Sequence, residues 1–347
     1  MLPIRFQRAL AALIVVLAGL SAAPATAGGK TPPPIIDMHM HPLGVGFGGG
    51  NYAVCMPYPK FEAAENGEAA KKLFLQWHHD PPCSDPVRVP RDDATLLREV
   101  MAAMQRRNIH AVLVGGELTD AWADAQPDRF MRGLPNQEFR LTPADVERLR
   151  ARHREGKLQV LAEVPAQYYG VLPDDESLEP LWNLAEELDV PVGIHIGTGP
   201  PGAPYGPGLD KYRARLHSPL TLEEVLLRHP KLRVYVMHAG WPMLDDMLAV
   251  LYAHPQVHVD TGAIVWGASR KTFYRYLEQL VEAGFEERIM FGSDMFATPP
   301  TLEHSIRVIE EAPFLSAAQK RAILYDNAAR FLKLDAATIA RQNGRAP

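Results

Sequence analysis

The sequence lacks the concentrated positive charge that nucleic-acid-binding proteins carry. Its 36 Lys and Arg residues are outnumbered by 41 Asp and Glu residues, the net charge is −5, and no basic run stands out. Nucleic-acid binding therefore has little support. The composition, with 47% hydrophobic and 22% charged residues, is that of an ordinary globular protein with a sizeable core.

The sequence also lacks a membrane span at its N-terminus. The apolar segment at residues 9–23 is shorter than the about 20 residues that a helix needs to cross a bilayer. A short basic start precedes this segment and Ala25-Thr26-Ala27 follows it, so residues 1–27 are predicted to be a cleaved signal peptide. No cysteine lies near the cleavage point, so no lipid anchor is expected. We therefore expect an exported protein, periplasmic or secreted, with no stable membrane anchor.

Cysteine is scarce, and its placement is informative. Cys55 and Cys83 are the only two cysteines, and both lie in one Gly- and Pro-rich stretch. In an oxidising compartment such a pair often closes a disulfide, so the sequence predicts a Cys55–Cys83 bond. Two buried free thiols are the alternative.

From residue 35 onward, short β-rich runs alternate with amphipathic helical stretches. Eight strand–helix units predict an α/β protein whose parallel sheet closes into a (β/α)8 TIM barrel, with an open doubly wound sheet as the alternative. The predicted strands are 35–41, 109–115, 129–134, 159–164, 192–197, 233–238, 257–261 and 288–294. The predicted helices are 94–107, 142–155, 177–188, 221–228, 243–253, 270–283, 302–311 and 316–324.

Helix starts are marked at two places by the spacing of a capping box, Thr221 with Glu224 and Ser316 with Gln319. No second domain is evident, so residues 28–347 are predicted to form a single barrel domain. Three connections are longer than a barrel needs: an insertion at 42–93, then 116–128 and 198–219. Because each follows a strand, we expect these loops on the C-terminal face, where barrel enzymes have their active sites.

Two histidines end the first strand. Side chains two positions apart on a strand point the same way, so His39 and His41 face one side and Met40 faces the other. At the mouth of a barrel, two such imidazoles can share one metal ion. Alone, the pair could equally be two hydrogen-bonded structural histidines.

Other strands end in the same manner, with a polar residue after an apolar run. A barrel would direct these side chains toward one centre at its top, which predicts a metal site there. The residues concerned are Glu163, His195, His238 and Asp294.

Four motifs in order, DMHMH, HIG, HAG and GSD, together with the final LYDNAARFLKL, resemble the amidohydrolase superfamily. More narrowly, the chain resembles the amidohydrolase-related (amidohydrolase 2) family. That branch includes metal-dependent hydrolases and decarboxylases of the aminocarboxymuconate-semialdehyde type, and its fold is a (β/α)8 barrel.

The resemblance implies a role for each of these residues. His39, His41, His195 and Asp294 would bind the metal, Asp294 would also handle the proton of a bound water, and His238 would be the second catalytic residue. Glu163 would either bridge two ions or orient a ligand histidine. One divalent ion is expected, because the fourth strand has no lysine. Zinc is the first choice, with manganese, cobalt or iron as alternatives and a second ion left open.

Residues that follow the strands are candidates for the substrate pocket. Tyr168, Tyr169 and Trp241 predict aromatic walls, and Trp266 and Met295 also follow strand ends. Three histidines in the long loops are further candidates for substrate contact, namely His78, His79 and His217.

The function that we expect from the sequence is an exported metal-dependent hydrolase, in which metal-activated water attacks an ester, lactone or amide. One alternative is a metal-dependent non-oxidative decarboxylase of an aromatic or unsaturated acid. A second alternative is a non-catalytic metal- or ligand-binding protein. The expected partner is a small-molecule substrate, and a homo-oligomer is left open.

Overall fold

The computed structural model describes residues 31–136 and 138–345. The predicted signal peptide, residues 1–27, lies outside the described residues. The described residues from 32 onward form one compact unit. No helix among the described residues is long and apolar enough to cross a membrane.

Parallel strands form the predicted barrel. The chain order of the strands is β1 Ile35–His41, β2 Ala53–Val54, β3 Val87–Arg88, β4 Ile109–Leu113, β5 Phe130–Arg132, β6 Leu161–Val164, β7 Val192–His195, β8 Val234–Met237, β9 Val257–Asp260, β10 Ile289–Met290 and β11 Met295–Phe296. The parallel ladders run β11-β1-β4-β5 and β10-β9-β8-β7-β6. Backbone hydrogen bonds join them, from Gln159 to Arg132 at 2.8 Å and from Met38 to Phe291 at 2.9 Å. The (β/α)8 fold is therefore confirmed.

The eighth strand is interrupted, unlike the continuous strand predicted at 288–294. It consists of β10 and β11, with residues 291–294 between them. The carboxylate of Asp37 accepts hydrogen bonds from both the backbone N–H and the hydroxyl of Ser293. Asp294 then takes a left-handed backbone with φ 53°, and its N–H donates to the His39 carbonyl at 2.7 Å. This interruption directs the Asp294 side chain toward the mouth of the barrel.

Helices surround the barrel, and most lie where the sequence predicts them. They are α1 Gly67–His79, α2 Asp93–Arg107, α3 Thr119–Ala125, α4 Pro143–Arg154, α5 Glu179–Leu188, α6 Glu223–Arg228, α7 Leu244–Ala253, α8 Ile264–Gly267, α9 Arg270–Glu282, α10 Pro299–Glu310, α11 Ala317–Arg321, α12 Asn327–Phe331 and α13 Ala336–Gln342. The predicted helix at 316–324 begins as α11 and continues as a π-helix, Ala322–Asp326. The helices α1, α3, α8, α12 and α13 were not predicted.

The first long loop, residues 42–93, has structure of its own. It contains helix α1 and the short antiparallel pair of β2 and β3. The predicted disulfide between Cys55 and Cys83 is present, with the two Cα atoms 6.2 Å apart. The loop is therefore a covalently closed cap rather than an irregular connection.

Buried side chains fill the barrel below its mouth. Tyr235 is fully buried, and its hydroxyl donates to the Met38 carbonyl at 3.2 Å. Gly193 makes room for this ring, because a Cβ there would lie 2.4 Å from Tyr235 Cζ. This packed layer gives the strand ends a rigid base.

Candidate metal centre

The pleat of β1 presents His39 and His41 to the same side, as predicted. Both imidazoles are buried, with side-chain exposures of 0% and 1%. Their Nε2 atoms lie 3.2 Å apart. Two ring nitrogens this close can bind one cation that lies to the side of the line joining them.

Asp294 completes this first ligand group, which we define as His39, His41 and Asp294. Its Oδ1 lies 3.2 Å from Nε2 of His39 and 3.2 Å from Nε2 of His41. Atoms bound at about 2.1 Å to one ion lie about 3.0 Å apart at right angles and about 3.4 Å apart at tetrahedral angles. Asp294 Oδ1 is buried and has no hydrogen-bond partner. The group therefore fits a divalent cation in both spacing and chemistry.

Asp260, at the end of β9, orients the first group and was missed by the sequence analysis. Its Oδ2 lies 3.0 Å from His39 Nδ1, so the carboxylate accepts the Nδ1 proton and leaves the lone pair of Nε2 free. Its Oδ1 accepts from the backbone N–H groups of His238 at 2.9 Å and Gly262 at 2.8 Å. The signal was present, because Asp260 also follows an apolar strand.

A second ligand group, defined as Glu163, His195 and His238, lies beside the first. Nδ1 of His195 is 2.5 Å from Glu163 Oε1 and 2.9 Å from His238 Nε2. The other oxygen of Glu163, Oε2, is 3.4 Å from His41 Nε2. The carboxylate of Glu163 therefore faces both groups, one oxygen to each.

The resemblance implies that His195 binds the metal with His39, His41 and Asp294. In the structure its Nδ1 contacts Glu163, its Nε2 lies 3.2 Å from the Gly197 carbonyl, and it belongs with Glu163 and His238 to a set of side chains that could hold an ion. The structure thus brings all five predicted metal residues and His238 to one place, where overlapping sets of three side chains have the spacing to hold an ion.

Burial and charge act against each other at the two predicted catalytic residues. Burial favours a neutral Asp294, but the positive charge that His39 carries when both of its nitrogens are protonated outweighs burial and holds the pKa of Asp294 below its usual value. Burial lowers the pKa of His238, but its contact with Glu163 and the charge of Asp294 outweigh burial and raise that pKa. These contacts favour the ionised form of Asp294 and the protonated form of His238.

A cavity of about 990 Å³ opens from the ligand groups to solvent. Its floor includes His41, Glu163, His195, His238 and Asp294. Several of the predicted substrate residues line its walls, namely His78, His79, Tyr168, Tyr169 and Trp241.

Three other candidates from the sequence lie behind the cavity wall. His217 is fully buried, with its ring 5.3 Å from that of Tyr168 and 4.8 Å from that of Tyr212. Trp266 is also buried, and its indole N–H donates to the Ser293 carbonyl at 2.7 Å. Met295 is buried in β11. These residues support the wall and the floor rather than forming their surface.

Comparisons with solved structures agree with this fold. An uncharacterized TIM-barrel protein from Bordetella bronchiseptica is 19% identical, with a TM-score of 0.57 over 90% of this chain and 100% of that chain. The 5-carboxyvanillate decarboxylase of Novosphingobium aromaticivorans, solved with manganese and 4-hydroxy-3-methoxy-5-nitrobenzoic acid, is 15% identical, with a TM-score of 0.53 over 88% of this chain and 98% of that chain. A probable 2-pyrone-4,6-dicarboxylic acid hydrolase from Acinetobacter baumannii, with citric acid bound, is 15% identical, with a TM-score of 0.52 over 86% of this chain and 99% of that chain.

Sequence comparison identifies the family. No curated protein matches the chain. The profile of the amidohydrolase family matches residues 36–334, which covers every residue of both ligand groups. The chain therefore belongs to the amidohydrolase family and is a metal-dependent enzyme of that type.

Proposed function

We propose that the protein is a metal-dependent decarboxylase of an aromatic or unsaturated carboxylic acid. The observation that carries the proposal is a cavity with aromatic walls, Tyr168 and Trp241 among them, whose floor is a buried cluster of metal-binding side chains. Such a cavity suits a flat ring with a carboxylate at its inner end. The similarity to the N. aromaticivorans decarboxylase, whose bound ligand is a substituted benzoic acid, supports this choice.

His39, His41 and Asp294 would hold the cation, which when bound supplies positive charge for the oxygen atoms of the substrate. In the reaction, the bond between the ring carbon and the carboxyl carbon breaks and CO2 leaves. The electron pair stays on the ring carbon, which takes up one proton.

His238 is the proposed source of that proton. Its Nδ1 lies 3.0 Å from the Gly262 carbonyl, which can only accept, so Nδ1 carries a hydrogen. Its Nε2 faces the second ligand group, 2.9 Å from His195 Nδ1 and 3.7 Å from Glu163 Oε1. Burial lowers the pKa of His238, but Glu163 and Asp294 outweigh burial and raise it, which favours a second proton at Nε2, at the cavity floor.

Tyr168 is the proposed inner wall for the substrate ring. Its ring lies 4.3 Å from that of His195, so a bound ring would contact Tyr168 and the ligand groups together. Tyr169 and Trp241 are proposed as outer contacts because both line the cavity. His217 contributes indirectly in this proposal, by packing behind Tyr168.

Hydrolysis of an ester, lactone or amide is the second candidate, and the position of Glu163 favours it. A carboxylate that offers one oxygen to each of two ligand groups could hold a pair of ions, which when bound would lower the pKa of water. In that case Asp294 would accept the proton of the water.

The nature and number of the ions are part of the proposal. Imidazole and carboxylate ligands suit zinc, manganese, cobalt and iron, and we propose a single zinc ion in the first group. Manganese is the main alternative, since it is bound in the N. aromaticivorans structure. Metal analysis of the purified protein gives the identity, and a Glu163→Gln variant that loses half of the metal would indicate a pair of ions.

One assay separates the two reactions. Zinc- or manganese-loaded protein is incubated with a panel of 2-hydroxybenzoic acids and, separately, of aryl esters and lactones, while CO2 and acid release are followed. We expect CO2 from the acids, at least 100-fold slower in His238→Asn and unchanged in His304→Asn, on the outer helix α10. Acid release from the esters or lactones without any CO2 would favour hydrolysis instead.

We also propose that the protein is exported after removal of residues 1–27. The apolar segment at 9–23 and the Cys55–Cys83 bond both support an oxidising destination. Expression of the full chain and of a version without residues 2–27, followed by fractionation, tests this. A full-length chain that stays in the cytoplasm uncleaved would contradict it.

A further inference from the structure

The cavity extends well beyond the ligand groups, under a roof formed by the first long loop. The N–H of Tyr58 donates to the Gly267 carbonyl at 2.9 Å, beyond β9. Phe61, only three residues later, packs against Gly202 and stacks on Tyr205 at 5.8 Å, beyond β7. Residues 58–61 therefore cross the mouth of the barrel, and we define the part of the cavity beside Lys60, Leu75 and Tyr169 as its outer half.

The outer half is lined by large apolar side chains that remain exposed. Leu75 of helix α1 is 45% exposed and Tyr169 is 40% exposed, and both line the cavity. Exposed apolar surface inside a cavity is a common feature of binding sites, because a ligand that covers it removes that surface from water. The outer half therefore offers binding energy to an apolar group.

One cation faces this apolar surface. Lys60 belongs to the crossing segment and is the sole Lys or Arg among the described residues that line the cavity. Its side chain is exposed, and no ion pair with any described acidic residue is present. The acidic residues that line the cavity, Glu163 and Asp294, lie on its floor. A ligand anion near the mouth would therefore have Lys60 as its partner.

The size of the cavity points to a substrate longer than one ring. Its volume of about 990 Å³ lies at the upper end of the range of about 300–1,000 Å³ that drug-sized ligands occupy. A single benzoate on the ligand groups would leave most of that space to water. An apolar wall that only water contacts would contribute nothing to specificity.

We propose that the outer half of the cavity is a second substrate subsite, which binds an apolar ring or chain that ends in an anionic group paired with Lys60. The substrate is then an elongated acid with an apolar body and two negative ends, one at the ligand groups and one at the mouth. The orientation of the reacting end rests on the proposed function, whereas binding at the mouth does not.

Three probes test the subsite by calorimetric titration of the zinc-loaded full chain: benzoate, biphenyl-4-carboxylate and biphenyl-4,4′-dicarboxylate. Burying one more ring should tighten binding by about 10- to 100-fold from benzoate to biphenyl-4-carboxylate. The second carboxylate should tighten binding by about a further 5-fold in the unmodified protein. Equal affinity for benzoate and biphenyl-4-carboxylate would overturn the subsite.

Variants of two exposed residues locate the effect without disturbing the core. Lys60→Ala should remove the preference for the dicarboxylate, and Leu75→Asp should remove most of the gain from the second ring. Lys72→Ala, on the exposed side of helix α1, is the matched control and should bind all three probes like the unmodified protein. A dicarboxylate preference that persists in Lys60→Ala would overturn the charge pairing.

The outcome is separable from that of the decarboxylase proposal. If the binding series is as expected but no acid releases CO2, the subsite stands and the proposed reaction fails. If CO2 is released from monocyclic acids but the biphenyl probes bind no better than benzoate, the reaction stands and the subsite fails.

Discussion

The imidazole of His39 is fixed at both of its nitrogens. Asp260 contacts Nδ1 at 3.0 Å, and Nε2 faces His41 and Asp294. A carboxylate on the far nitrogen sets the tautomer and makes the ligand nitrogen a stronger base. Since Asp260 also accepts from the backbone N–H of His238, one buried side chain positions a residue of each ligand group.

Asp260→Asn should therefore weaken metal binding. An amide can still occupy the space, but it provides less charge for the Nδ1 proton of His39, so we expect zinc affinity to fall by about 10- to 100-fold. Competition with a chromophoric chelator measures this. Asp174→Asn, at an exposed position, is the control. Equal zinc affinity in the two variants would show that Asp260 has no influence on the metal.

Gly262 is required by its closeness to His39. A Cβ at this position would lie 2.5 Å from His39 Nδ1, which is a steric clash for two non-bonded atoms. Gly262→Ala should push the imidazole away from Asp294 and lower zinc affinity at least as much as Asp260→Asn. Gly67→Ala, where a Cβ meets nothing within 4 Å, should bind zinc normally by the same chelator assay. Normal zinc binding by Gly262→Ala would show that the backbone after β9 moves to relieve the clash and that the imidazole of His39 stays in place.

At the scale of strands and helices, sequence spacing correctly predicted a helix start only where the hydrogen bonds of the cap are local. The capping box at Ser316 is present, because both of its hydrogen bonds join residues three apart. At Thr221 the prediction was wrong, since the chain there is a short 3-10 helix that starts at Pro219 and is capped by Ser218. The cap at Ser218 depends on the path of the preceding loop, which cannot be inferred from the spacing of Thr221 and Glu224.

The interruption of the eighth strand shows the same limit. It depends on a contact between Ser293 and Asp37, which are 256 residues apart. Because apolar residues lie on both sides of Ser293, the sequence predicted one continuous strand there. The pleat of β1 placed His39 and His41 correctly, but the left-handed turn that aims Asp294 needed the tertiary contact.

The disulfide should hold the first long loop over the cavity. Cys55 and Cys83 enclose residues 58–61 and helix α1, and a bond across a loop of this size stabilises it by about 3 kcal/mol. In a Cys55→Ser/Cys83→Ser double variant, limited proteolysis should cut within residues 56–82 while the barrel stays intact. Equal protease resistance of the two proteins would show that packing of Tyr58 and Trp77 suffices.

For the whole molecule, buried histidines outside the site predict a loss of stability in acid. Burial lowers the pKa of His110 to about 4 and that of His258 to about 4, against about 6.5 in an unfolded chain. Between these values the unfolded chain binds more protons, so the free energy of unfolding falls as the pH is lowered through this window. Each histidine should lower the free energy of unfolding by about 2 kcal/mol between pH 7.5 and pH 5.

Urea unfolding at the two pH values measures this loss. His110→Gln and His258→Gln should each show a smaller difference between pH 7.5 and pH 5 than the unmodified protein, whatever their stability at pH 7.5. An unchanged difference in both variants would mean that other groups cause the acid sensitivity.

The sequence allowed the barrel and the convergence of its strand ends to be predicted, because both follow from chain order and strand polarity. It did not allow the contacts among these ligands to be predicted. His195 and Glu163 lie in different strands, β7 and β6, and their contact at 2.5 Å depends on the register between them. That register shifts between Leu161 and Val164, which places Glu163 where it faces both groups.

The proposed reaction depends on the binding of one divalent cation by His39, His41 and Asp294 together. This binding can be observed in crystals of the protein loaded with zinc or manganese and measured at the absorption edge of that metal. We expect an anomalous peak within about 2.0–2.3 Å of Nε2 of both histidines and of Oδ1 of Asp294. No peak at this position in fully loaded protein, or a peak bound by other residues alone, would contradict it.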